Sequence, residues 1–177
     1  MKTVFFILLW SVGFSSISIA KINVTVKEVC ETSFRNVDKI EHKTLFLTTS
    51  QYDKIRRKAK AKINTKIYRY YNILSKGKRV GIGVLITRKM RTKKATVLYA
   101  FDMNNNLRFT EIMAFGEPPE FIPNSTWMGQ FQNKKPTKKF MIGKDIPTIS
   151  GSTLSARSIT QGARIARAIY EIALKSK

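Results

Sequence analysis

Between Thr65 and Phe115 the sequence repeats one pattern, a short segment of strand character followed by a turn signal. Lys66 to Leu74 is rich in Ile and Tyr, and Lys76-Gly77-Lys78 then marks a turn. From Arg79 to Thr87, Val80, Ile82, Val84 and Ile86 alternate with smaller residues. Ala95 to Phe101 is a further strand, Asp102 to Asn106 reads as a hairpin turn, and Leu107 to Phe115 returns. Such a succession predicts an antiparallel meander with helices packed to one side or end, an α+β fold. Gly81 and Gly83 lack the third glycine and the helix of a dinucleotide fingerprint, so close packing over the strand is the better account.

The flanks read differently. Ile22, Val24 and Val26 alternate with Asn23, Thr25 and Lys27, so residues 22–29 are expected to form a short strand. Thr49 and Ser50 precede an expected helix from Gln51 to Ile63, with Ser50 and Asp53 at capping-box spacing. Tyr52, Ile55, Ala59 and Ile63 form its apolar stripe, and the basic run from Lys54 to Lys62 its solvated face. Pro118, Pro119 and Pro123 make residues 116–124 a loop, held down by Phe121 and Trp127. A stretch rich in Gly, Pro and Thr leads to a last helix over 155–175, with Ile159, Ala163, Ala166, Tyr170, Ala173 and Leu174 facing inward.

Residues 1–20 have the form of a signal peptide. Lys2 gives a positive start, Val4 to Phe14 is almost wholly apolar, and Ser18-Ile19-Ala20 supplies small residues for cleavage. The apolar run falls short of the ~20 residues that a membrane span needs. An exported, periplasmic or extracytoplasmic single domain over 21–177 is therefore expected. Its charge is one less than the +22 of the whole chain. Such an excess attracts anionic lipid surfaces, acidic proteins or polyanions. Nucleic acid is not the expected partner, because export places the chain on the other side of the membrane. Cys30 and His42 are each the only residue of their kind. Zinc sites, Cys-His dyads and Ser-His-Asp triads cannot be built within this chain, so chemistry must come from something bound.

The informative stretch runs from Asp145 to Ser158. A helix start rich in Ser, Thr and Gly is either a well-capped terminus or an anion site, since its first amides lack helical partners and carry partial positive charge. Gly151 allows close backbone approach, and Arg157 adds charge.

Ser150-Gly151-Ser152-Thr153-Leu154-Ser155 resembles the signature of the FMN-binding domain family, which includes the flavin-carrying subunits of sodium-pumping NADH:quinone oxidoreductase and Rnf-type complexes and small exported members. Trp127-Met-Gly-Gln130-Phe131, the run Arg157 to Gly162, and the loop Glu117-Pro-Pro-Glu120 resemble the small exported members. The resemblance is specific from about Glu111 to Tyr170. It implies FMN joined to Thr153 by a phosphodiester bond, installed by a flavin transferase that uses FAD as donor. It implies an electron carrier rather than a stand-alone enzyme; the partner is not named by the resemblance, and the basic charge suits one that is acidic or membrane-bound. Ser150, Gly151, Ser152, Leu154, Ser155 and Arg157 would surround the phosphate, while Trp127, Phe131, Leu154 and Glu117 are candidates for the flavin ring's surroundings. Trp127 and Phe131 read equally well as hydrophobic staples for the loop. Ser152 stands where the family has alanine, and Pro147 where it has an acidic residue, with Asp145 two positions earlier. A noncovalently held FMN, or a cofactor-free basic exported module that binds anionic lipid or polymer, are the alternatives.

Overall fold

The structure is a computed structural model and describes residues 25–175. The expected signal peptide and the residues Ile22 to Val24 lie outside that range. Five antiparallel strands follow one another in space as in sequence: β1 (Lys39–Phe46), β2 (Ile67–Ser75), β3 (Lys78–Lys89), β4 (Lys94–Asp102) and β5 (Leu107–Phe115). This is the expected meander of an α+β fold. The β2–β3 turn places Lys76 and Gly77 at φ 50° and 69°, the left-handed pair that matches the twist of a two-residue hairpin.

Each face of the sheet has its own cover. Tyr68, Tyr70, Ile82, Val84, Ile86, Val97, Tyr99 and Phe101 belong to the larger core, beneath α2 (Thr49–Ala59) and α4 (Thr153–Ile169). Ile73, Leu85, Leu98, Ala100 and Phe109 belong to the smaller one, with Cys30 and Phe34 of the α1 (Val26–Ser33) region. Two glycines of β3 permit this packing. A Cβ on Gly81 would lie 2.5 Å from the Phe34 ring and 2.9 Å from the Phe101 carbonyl; one on Gly83 would lie 3.0 Å from Leu98. On the other face, a Cβ on Gly162 would collide with the Tyr99 hydroxyl, which donates to the Ile159 carbonyl at 2.7 Å. The last helix thus sits directly on β4.

Three local expectations are corrected. Residues 26–29 are helix, not strand. Thr25 and Glu28 form a full capping box, and Val26, Val29 and Cys30 share one side at helical spacing. That closure outweighs a short alternation. The cap of α2 is Thr48 with Gln51, two residues before the expected pair. The helix ends at Ala59, because Lys60 adopts φ 47°, yet Ile63 still buries itself, and the Tyr52 hydroxyl donates to its carbonyl at 2.9 Å. Strand β1 has no apolar alternation to announce it. Only Leu45 is buried within it, and Glu41 pairs with both Lys39 and Lys43, as suits a charged edge strand.

The apolar positions expected of the last helix are all buried, and it continues beyond α4 as a π-helical turn, Tyr170–Leu174. A short 3-10 turn (Pro119–Phe121) and α3 (Ser125–Gly129) stand between β5 and the loop that feeds α4.

Candidate functional site

Thr153 is the first residue of α4, two positions after Gly151, where φ is +76°. The Ala156 amide makes the first helical bond, 2.9 Å to the Ser152 carbonyl. Ser152 occupies the cap position without giving a side-chain cap; its hydroxyl faces the Glu120 carbonyl at 3.5 Å instead. The first-turn amides therefore keep their donor capacity and the positive end of the helix dipole. Thr153 is exposed, and its hydroxyl donates to the Ile149 carbonyl at 2.9 Å. Ser155 is fully buried, and its Oγ finds no partner among the described residues. Ser150, Gly151, Leu154 and Arg157 are exposed.

The loop before α3 and the loop before α4 are tied together. The Trp127 Nε1–H donates to the Pro147 carbonyl at 2.9 Å, and the Trp127 amide is capped by Asn124 Oδ1 at 2.8 Å. Trp127 and Phe131 are both buried, their rings 5.3 Å apart and edge to face, with Phe140 beyond. In this arrangement they staple the loops into the core. Of the four residues expected around the ring, Leu154 is the one that presents surface, at 46% exposure, while Trp127, Phe131 and Glu117 are buried.

Glu117 is buried and turned toward the β3–β4 turn rather than the start of α4. Its Oε1 accepts from the backbone N–H of Arg91, Thr92 and Lys93 at 2.9, 2.6 and 2.6 Å, and its Oε2 from the Thr92 hydroxyl at 3.1 Å. Burial pushes this carboxyl up, but the three amides and the hydroxyl outweigh it and hold its pKa at about 2. Arg91 stacks on Phe121 at 3.9 Å from the ring centroid. Glu117 thus braces the loop whose Glu120 carbonyl meets Ser152. Asp145 stays in its own turn, where it accepts from the Met141 amide at 3.3 Å and lies 4.0 Å from Lys138.

Cys30 is the buried residue of α1, and burial, followed by the nearby Glu31 charge, pushes its thiol up to about 12. Its environment is that of a packing residue. Among the described residues no group of His, Cys, Asp and Glu could hold a metal ion, and no helix is long and apolar enough to cross a membrane. Sequence reasoning passed over Arg164 and Arg167, which line a cleft beside α4. Their spacing of three residues on the last helix was the available signal. No model of a known protein family and no curated protein matches this chain.

Proposed function

We propose that this protein is an exported FMN-binding electron carrier whose flavin is tethered through a phosphodiester to Thr153. The observation that carries the reading is an exposed threonine hydroxyl on the first turn of a long helix whose cap residue leaves the turn's amides free. An esterified phosphate fits those donors. It keeps one negative charge, which the amides and the helix dipole stabilise. The orphaned Ser155 Oγ adds a polar group beside them, and Arg157 adds a positive one within the same turn. Gly151, at positive φ and with open space where a Cβ would stand, keeps the approach clear.

Tethering is a group transfer. Thr153 Oγ1 forms a bond to the phosphorus on the flavin side of FAD, the anhydride bond breaks, and AMP leaves with the electron pair. The hydroxyl proton passes to a base of the flavin transferase, since the chain's one histidine lies on β1. Thr153 is an acceptor here, not an enzyme's nucleophile. Once bound, FMN supplies the one- and two-electron chemistry. The protein's part is to hold the phosphate, present Leu154 to the ring's surroundings and fix the loops through Glu117 and Trp127. The basic surface suits a redox partner that is acidic or membrane-bound.

The direct experiment is coexpression of the full-length chain with a flavin transferase. The denatured band should fluoresce under ultraviolet light, and Thr153→Val should abolish that signal while leaving the fold intact. A colourless protein under these conditions rejects the reading. Noncovalent binding is favoured by one observation: Pro147 holds the acidic position, and Asp145 is engaged with Met141 and Lys138. In that case acid precipitation would release all the flavin into the supernatant.

A further inference from the structure

A cleft of about 490 Å³ lies between the end of α2, the loop around residues 136–141 and α4. Six cations line it: Lys58, Lys60, Lys138, Lys139, Arg164 and Arg167. The one carboxylate in the lining, Glu171, is already taken by an ion pair with Lys58 and a hydrogen bond from Asn105. Asp145, close by, is 4.0 Å from Lys138. A smaller cleft of about 270 Å³ shares Arg164 and Phe140 and adds Arg157.

Arg167 is unusual within this group. It is 6% exposed, and no carboxylate of the described residues lies within ion-pair distance of it or of Arg164. Its terminal nitrogens donate to the carbonyls of Lys134, Pro136 and Lys138, and its plane stacks on Phe140 at 4.1 Å. Those contacts fix the guanidinium in place but supply no counter-charge. The Nε atoms of both arginines are buried without a partner. Burial holds Arg167 down to about 10, against the opposite pull of Glu171 and Asp145. A buried cation without a paired anion is costly, an anion in the cleft would supply the missing counter-charge, and the planar donor fork of Arg164 suits a phosphate oxygen pair.

We propose that this cleft binds a phosphate-bearing ligand, with Arg164 on the phosphate, Lys60 and Lys139 at the rim, and Arg167, held on its three carbonyls, supplying fixed positive charge behind it. The volume is within the range of small-molecule sites. The site stands on its own residues and holds whether or not Thr153 carries flavin. Two sources share this chemistry, a soluble phosphate compound and the headgroup of an anionic phospholipid.

The test uses the full exported protein with two probes, inorganic pyrophosphate by calorimetry and equimolar phosphatidylglycerol–phosphatidylcholine vesicles by flotation. Arg164→Gln with Lys139→Gln should weaken binding by about tenfold or more, as loss of charged hydrogen bonds implies. Arg164→Lys, which keeps a point charge, should lose less. The matched control, Lys76→Gln with Lys78→Gln on the exposed β2–β3 turn, removes the same charge and should change binding by less than about twofold. Pyrophosphate that binds while vesicles do not compete assigns the site to a soluble phosphate. Vesicles that float the protein and are released by pyrophosphate assign it to the lipid headgroup. The proposal is overturned if neither probe binds, or if the control loses as much as the cleft variant. A protein that never takes flavin but still binds pyrophosphate here would end the flavin reading and leave this one standing.

Discussion

Glu117→Gln isolates the brace behind the candidate site. In the native protein one oxygen accepts three backbone N–H groups and the other a hydroxyl, all from residues 91–93. Glutamine keeps a carbonyl oxygen for the amides but turns charge-assisted bonds into neutral ones. At about 1 kcal/mol lost for each of the stronger bonds, the cost is about 2–3 kcal/mol at neutral pH. The carboxyl also sets a pH signature. Its pKa falls from 4.5 to about 2 on folding, so between those values the unfolded chain binds more protons than the folded one. The stabilisation is complete above 4.5, declines as pH falls through that window, and is gone below the folded value. Urea denaturation of both proteins from neutral pH down to about 2 measures this, and the gap between them should close as the pH falls. A variant within about 0.5 kcal/mol of wild type at neutral pH, or a gap that does not change with pH, refutes the reasoning.

Other perturbations have equally definite outcomes. Gly162→Ala forces a methyl against the Tyr99 hydroxyl and should cost about 1–3 kcal/mol in urea denaturation; a neutral effect would mean that α4 can lift off β4 freely. Trp127→Phe removes the bond to the Pro147 carbonyl and should cost about 1 kcal/mol, with faster hydrogen exchange in the loop before α4 than in the strands. Cys30 should resist a thiol reagent at mildly alkaline pH in the native protein and react promptly in urea; rapid native labelling would contradict its burial. Thr153→Val should leave stability within about 1 kcal/mol of wild type, since the exposed hydroxyl makes one hydrogen bond.

The sheet was legible because period-two alternation and turn residues mark β2 to β5 independently of distant contacts. The charged edge strand β1 carries no such signal, since its order comes from pairing with β2 along Lys39 to Phe46. The first helix was hidden by an accidental alternation at Val24 and Val26, although Thr25 and Glu28 spelled its cap. At the site, the Ser, Thr and Gly content marked a helix start, but the helix begins at Thr153, two residues before the expected 155. The partners of Glu117 did not, because they lie 24 to 26 residues away and are mostly backbone amides, which no side-chain motif records. The aromatic pair Trp127 and Phe131 read as wall or staple from sequence, and only burial shows them packed into the core. The cationic cleft joins α2, a loop and α4, so its lysines and arginines are neighbours only after folding.

The most direct measurement is the intact mass of the protein purified from its own host, followed by mapping of the peptide that spans Ile149 to Arg157. A mass increment of FMN less one water, carried on that peptide and lost after Thr153→Val, is the expected result. An unmodified mass, with the peptide bare and no flavin accompanying the protein, would contradict the account.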